Sequence, residues 1–205
     1  LVFTGFAGAA TYAANGKVDL VAALLLAATA TLTARLGARH AHVLPEWKLK
    51  RSFGAFLPVI AALLLARPWL AVAGAPAVAG TGTRAAVLLA TGVCTGFLSG
   101  MMGVGGGSIM VPAMVLLAGF PQVVAQGSSL LAMVPIGVAG AVTHGQLGNV
   151  VKRLLPGLVP GILVGTFVGS SLAVRLPELA LRVAFAAVLV WTGWRYIRVP
   201  RPPVG

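Results

Sequence analysis

A run of glycines inside an apolar segment is the feature of this sequence best suited to bind a ligand. Residues 99–112 read SGMMGVGGGSIMVP. Each glycine weakens a helix interior by roughly 1 kcal/mol, so the segment is expected to break here. Unpaired backbone costs several kcal/mol per group in hydrocarbon and survives only inside protein or beside a water-filled cavity. The break therefore predicts backbone groups that are available to a ligand.

The ligand that such a break favours is an anion. A new half-helix is expected to begin near Ser108, and a helix N-terminus carries about half a positive charge and directs its N–H groups outward. Glycine lets an anion approach the backbone closely. Gln126 and the two serines after Gly127 are expected to form a polar wall, although the serines could instead bond to carbonyls of their own helix. The predicted substrate-binding residues are Ser99, Gly103, Gly105, Gly106, Gly107, Ser108, Gln126, Ser128 and Ser129.

Helix packing is the alternative role for glycines in this chain. Small residues four positions apart allow two helices to approach closely in a membrane. Gly96 with Gly100, and Gly103 with Gly107, have this spacing, and so do the three glycines from 161 to 169. The residues for which we predict a structural role are Gly96, Gly100, Pro112, Gly161, Gly165 and Gly169.

The composition is that of an integral membrane protein. Of 205 residues, 59% are hydrophobic and only 9% are charged, and the mean hydropathy is +0.99. A soluble domain carries about 25% charged residues. The net charge of +12 does not indicate nucleic-acid binding, because the basic residues lie in short loops between apolar runs and do not form one face.

The sequence gives no support to an enzyme. The glycine cluster lacks the Lys-Ser/Thr ending of a phosphate-binding loop, and Ser108 stands where a dinucleotide motif needs glycine. No Ser-His-Asp set, carboxylate pair or metal-ligand cluster is evident in the apolar segments. We therefore expect no cofactor and no metal. Cys94 is the single cysteine, so no intrachain disulfide can form.

Eight apolar segments predict an all-α polytopic membrane protein. A spanning helix needs about 20 residues. Five of the segments approach this length, namely 18–37, 52–73, 123–143, 154–174 and 179–197. Segment 1–14 is shorter. Segments 84–102 and 108–119 flank the glycines and are expected to form one interrupted unit, a discontinuous or re-entrant helix.

The chain also repeats itself. When it is shifted by 132 positions without gaps, residues 1–66 overlie 133–198 with 18 identities, including Leu-Pro-Glu at 44–46 and 176–178. This self-similarity predicts an internal duplication. The domains expected from it are an incomplete first repeat at 1–73, a linker at 74–83, a complete four-segment repeat at 84–198 and a basic tail at 199–205. The first repeat would lack the counterpart of 84–132 and is expected to be truncated.

The charged loops predict how the repeats are oriented. Loop 38–51 carries Arg39, Lys48, Lys50 and Arg51 against Glu46 and is the best cytoplasmic candidate. If 84–119 enters the membrane and returns, the C-terminal arginines also lie inside. The two Leu-Pro-Glu loops then lie on opposite sides of the membrane. We therefore predict inverted repeats, an arrangement found in many secondary transporters.

The segment from Gly96 to Val134 resembles the TauE/SafE family of sulfite exporters and sulfonate permeases. The matching positions are Gly96-Phe97, Ser99-Gly100, Gly103, Gly105–Gly107, Val111-Pro112 and Gly127-Ser128-Ser129. The resemblance covers essentially the whole chain and implies two such repeats. It also implies transport of sulfur-containing anions such as sulfite or organosulfonates.

These observations predict a secondary transporter, exporter or permease, that binds a small anion near the membrane midplane. The alternative is a membrane structural or assembly protein in which the glycines serve helix packing only. The expected location is the inner (plasma) membrane, crossed several times. The expected partners are the anionic substrate, the lipid bilayer and a second copy of the chain in a homodimer, and no nucleic acid.

Overall fold

The computed structural model describes residues 1–40, 45–72, 80–102, 105–146 and 155–200. All regular structure in these ranges is helical, as the apolar segments predict. Most of the linker (residues 74–79), Gly103 and the tail residues 201–205 lie outside the described part of the chain. The helices are α1 (Val2–Ala14), α2 (Leu20–His40), α3 (Glu46–Val72), α4 (Thr81–Met102), α5 (Gly107–Leu116), α6 (Gln122–Gln146), α7 (Leu155–Arg175) and α8 (Glu178–Ile197).

Five of these helices are long and apolar enough to cross a bilayer. They are α2, α3, α4, α6 and α7 over the ranges Leu20–His40, Trp47–Pro68, Thr81–Met102, Gln122–Val142 and Pro156–Arg175. The chain is therefore a multi-pass membrane protein. Helix α4 was expected to be half of an interrupted unit, yet its 22 residues suffice for a crossing. Helix α8 is not among the five, because Arg182 and Arg195 lower its mean hydropathy.

Helices α2 and α4 lie parallel and in close contact. The contacts advance together along both helices, since Gly92, Gly96 and Gly100 of α4 meet Leu26, Ala30 and Ala34 of α2 in that order. A methyl group built at Gly96 would overlap the carbonyl oxygen of Ala30. Glycine is needed at these positions because the two backbones touch.

Helices α1 and α6 lie antiparallel, and so do α3 and α8. At one end of α1, Val2 lies beside Gly137, and at the other, Tyr12 bonds to Gln126. In the second pair, Gly54 near the start of α3 faces Gly193 near the end of α8. The core between these helices and α5 is fully buried at Leu26, Leu57, Leu64, Met110, Met114 and Val115.

One end of the bundle, which we call the basic end, is marked by positive charge. Here α2 ends, α3 begins and α8 ends, and the Arg51 Nε donates to the Val199 carbonyl at 3.1 Å. The Arg198 guanidinium lies 4.2 Å above the Trp194 ring, as interfacial arginines and tryptophans do. Among the described residues, the cations of the basic end include Arg39, Lys48, Lys50, Arg51, Arg195 and Arg198. The charged residues of the opposite end include Lys17, Asp19, Arg67, Arg175, Glu178 and Arg182.

Candidate functional site

The glycine break turns the chain back on itself. Gly105 and Gly106 have φ values of +86° and +73°, which L-residues with side chains rarely adopt, and Gly106 is the N-cap of α5. The Gly106 carbonyl accepts the N–H groups of Ile109 and Met110, both at 3.0 Å, and so starts the helix. Helix α5 then runs back along α4, because Ser108 lies by Ser99 whereas Leu117 lies by Val87.

The break lies nearer to the basic end than to the opposite end. Gly100, two residues before the end of α4, packs on Ala34 of α2. Ala34 precedes the end of α2 at His40 by six residues, or about 9 Å of helix. Since α5 runs away from the basic end, its N-terminal N–H groups face that end. The break thus presents its positive helix end toward the basic end.

A small cavity lies at this N-terminus. Its volume is about 10 Å³, which is space for about one water molecule. The residues that line it are Phe53, Leu98, Ser99, Met102, Gly106, Ser108 and Ile109. The structure thus brings together three of the predicted site residues, Ser99, Gly106 and Ser108.

Two buried hydroxyl groups at the break have no hydrogen-bond partner among the described residues. They are the Oγ1 of Thr95 and the Oγ of Ser108. Thr95 is 0% exposed, and its methyl group lies against Gly106. A buried polar group without a partner costs about 1–3 kcal/mol. Such hydroxyl groups would gain hydrogen bonds if a polar ligand bound next to them.

Thr95 was not predicted from the sequence. Its signal was available, because Thr91, Thr95 and Ser99 are spaced by four residues and share one face of α4. Threonine and serine are common enough in membrane helices that this spacing alone does not select a site. Of the three residues, Thr95 is assigned to the site because its side chain lies nearest to Gly106.

The remaining glycines of the break face α6. A side chain at Gly105 or Gly107 would meet Met133, and a side chain at Gly105 would also overlap Leu1. The Gly107 N–H bonds to the Gly105 carbonyl at 2.9 Å, so this predicted donor is used inside the turn. Gly103 lies outside the described residues.

Gln126, Ser128 and Ser129 do not line this cavity, and the first two hold the turn between α1 and α2. The Tyr12 hydroxyl donates to Oε1 of Gln126 at 2.8 Å, and the Asp19 N–H donates to Oγ of Ser128 at 2.8 Å. Ser129 donates to the carbonyl of Gln126 in its own helix. Gln126 also lines a separate cavity of about 370 Å³ with Tyr12 and Ser170. Their substrate-binding role stays a prediction.

The glycines with predicted structural roles differ in their surroundings. Gly96 and Gly100 are packed against α2, and Pro112 is buried inside α5. In contrast, side chains built at Gly161, Gly165 and Gly169 of α7 would meet nothing within 4 Å among the described residues. This face of α7 is open, whereas the equivalent face of α2 is covered by α4.

Comparison with known proteins places the chain in a family. A family model described as "Sulfite exporter TauE/SafE" matches residues 1–196. The chain belongs to the TauE/SafE family. No solved structure gives a significant match.

Curated relatives of the TauE/SafE chain are named as membrane transporters. The probable membrane transporter protein YunE of Bacillus subtilis is 43% identical over 67 residues, 33% of this chain and 24% of that protein. A probable membrane transporter protein of Haemophilus influenzae is 37% identical over 70 residues, 31% of this chain and 26% of that protein. One from Xylella fastidiosa strain Temecula1 is 28% identical over 201 residues, 92% of this chain and 76% of that protein. The matched part thus spans about a quarter of the first two relatives and most of the third.

Proposed function

We propose that this chain is a secondary transporter that moves small sulfur-containing anions, such as sulfite or organosulfonates, across the plasma membrane. The family and the names of its relatives support membrane transport. The sulfur-containing substrate is an extension from the family description. The observation that carries the proposed site is the N-terminus of α5 beside the buried, unpaired hydroxyls of Thr95 and Ser108.

The proposed site binds its anion by neutral donors. The Ser108 N–H lies in the first turn of α5, where a helix offers no carbonyl of its own to accept it. The hydroxyls of Thr95, Ser99 and Ser108 add donors that turn toward an oxyanion. No lysine or arginine is among the described residues that line the cavity. A neutral site releases an anion more easily than a salt bridge does, and a transporter needs release as much as binding.

Binding requires the cavity to widen. A volume of about 10 Å³ holds no more than one water molecule, whereas sulfite has four heavy atoms. We propose that α5 moves relative to α4 during the transport cycle. Two features of the structure allow this movement. Glycines 105–107 connect α4 to α5, and a groove of about 410 Å³ lies between α3, α4 and α5.

Inverted repeats are part of the same proposal. The 132-residue shift that aligns the two repeats places α1 on the second half of α6 and α3 on α8. These are the same helices that pack as antiparallel pairs. The contact of Gly5 with Val134 becomes, after the shift, the contact of Gly137 with Val2, and both are present. Helices α3 and α8 begin at Glu46 and Glu178, which are equivalent positions under the same shift. Such a two-fold relation across antiparallel helices supports inverted repeats.

Sulfite flux into proteoliposomes tests the proposal, with Thr95→Val as the decisive variant. Valine keeps the shape of threonine and removes its hydroxyl. We expect flux to fall at least tenfold while the unfolding temperature stays equal or rises, since an unsatisfied buried hydroxyl is lost.

Thr31→Val is the matched control. The Thr31 hydroxyl, on α2, is also buried without a partner among the described residues, but Thr31 is not among the side chains nearest to Gly106, as Thr95 is. We expect its flux to match that of the unmodified chain. Equal flux in all three proteins would remove Thr95 from the site. Flux absent from the unmodified chain would leave a packing role for the glycines as the better explanation.

A further inference from the structure

Three charged side chains form a cluster at the opposite end of the bundle, far from the glycine break. Arg182 NH2 donates to Oε1 of Glu178, one turn earlier in α8. Arg67 of α3 reaches the same oxygen, with its NH1 at 3.5 Å. One carboxylate oxygen thus joins two guanidinium groups that come from two different helices.

The two arginines are not fully balanced by Glu178. Arg182 is only 7% exposed, and its Nε is buried with no partner among the described residues. A buried charge with unmet hydrogen bonds is strongly destabilising. Two cations and one anion leave a net charge of +1, and the first turn of α8, which begins at Glu178, adds the positive end of a helix.

Glu178 is the most exposed member of the cluster. Its side chain is 46% exposed, compared with 24% for Arg67 and 9% for Arg182. The carboxylate can therefore turn into water, while the Arg182 side chain stays buried. An anion that arrives from the aqueous side would meet the two arginines where Glu178 now binds.

We propose that Arg67 and Arg182 form a second oxyanion site in which Glu178 competes with the ligand. The ligand class is a tetrahedral oxyanion, either a free ion such as sulfate or phosphate or the phosphate of a lipid headgroup. Guanidinium groups match such oxyanions because their N–H donors lie in a planar fork. When an oxyanion displaces Glu178 from Arg67, it removes an ionic link between α3 and α8 at this end.

Titration of the detergent-purified chain with sodium sulfate at constant ionic strength tests the site. Isothermal calorimetry measures the affinity. We expect Arg67→Gln to weaken sulfate binding at least tenfold, because one of two guanidinium groups is lost. We expect Glu178→Gln to strengthen it at least threefold, because the competing carboxylate is removed. Both side chains are partly exposed, so neither change empties the core.

Two further variants control for general electrostatic effects at the same end. Arg175→Gln removes an exposed cation at the end of α7, and Asp19→Asn removes an anion while keeping a residue that can cap α2. Each should leave the affinity within twofold. The proposal is overturned if Arg67→Gln has no larger effect than Arg175→Gln, or if Glu178→Gln weakens binding.

The source of the oxyanion is decided in nanodiscs. If sulfate binds in zwitterionic phosphatidylcholine but is displaced in anionic phosphatidylglycerol, the phosphate of an anionic lipid occupies the site. If sulfate binds equally in both, the ligand is the free ion. Absence of binding in both lipids and in detergent would overturn the proposal.

The second site is tested independently of the transport site. Repeating the titration in the Thr95→Val background removes a contribution from the glycine break. An Arg67-dependent affinity that persists there supports the second site even if sulfite flux is never observed.

Discussion

At the scale of single residues, backbone conformation and side-chain contact impose separate demands on the glycines. Gly16 and Gly106 both have positive φ, +66° and +73°, but their surroundings differ. A side chain at Gly16 would meet nothing within 4 Å, whereas one at Gly106 would overlap the methyl group of Thr95. Substitutions at Gly16 and Gly106 therefore separate two losses of stability. One comes from a left-handed backbone, and the other from steric overlap at the proposed site.

We predict that Gly16→Ala costs about 1–2 kcal/mol of stability, the usual cost of a left-handed L-residue. Gly106→Ala should cost a further 1–3 kcal/mol or so from overpacking against Thr95. Reversible unfolding in detergent measures both. Flux should be retained in the first variant and lost in the second. Equal losses of stability would show that the contact with Thr95 relaxes freely.

At the scale of helices, two glycine stripes with the same spacing have different roles. Gly92, Gly96 and Gly100 of α4 are covered by α2, while Gly161, Gly165 and Gly169 of α7 face open space among the described residues. Glycines four residues apart predict a small-residue face in both helices. The spacing does not predict which of these faces packs against another helix.

We predict that Gly96→Ala destabilises the chain by about 1–3 kcal/mol, because a methyl group there overlaps the Ala30 carbonyl. Gly165→Ala should be neutral or should stabilise by up to about 1 kcal/mol through helix propensity. Thermal unfolding of the two variants in detergent is the measurement. A large destabilisation by Gly165→Ala would mean that another helix covers α7 in the sample.

At the scale of the whole molecule, the ion clusters and aromatic contacts lie at the two ends and the small residues lie between them. Arg51, Arg195 and Arg198 stack on tryptophans at the basic end, while Arg67, Glu178 and Arg182 join α3 to α8 at the other. Close to the basic end, Gly54 and Gly193 bring the same two helices into backbone contact. This arrangement fits a bundle whose two ends face different aqueous phases.

Equivalent positions in the two repeats provide the test of inversion. Lys48 in α3 and Ala180 in α8 are related by the shift between the repeats and occupy the same helical position. In a Cys94→Ser background, cysteines at these positions should react with an impermeant maleimide from opposite sides of the membrane. Reaction from the same side would exclude inverted repeats and leave a parallel duplication.

The sequence by itself determined the membrane class, the helices and the glycine break. Apolar runs of about 20 residues can satisfy their backbone in lipid only as helices, and consecutive glycines cannot continue one. The family resemblance was also carried by residues adjacent in sequence, from Gly96 to Val134, and the family match confirmed it. Such features depend on local chemistry, so no knowledge of packing was needed.

Only the tertiary structure decided which residues meet at the break. Phe53 lines the cavity at the break and Thr95 contacts Gly106, while Gln126 and Ser128 bond to the turn between α1 and α2. It likewise joined Arg67 to Glu178, which are distant in the chain. Helical periodicity gives the face on which a side chain lies, but the neighbour of that face is set by how the helices pack.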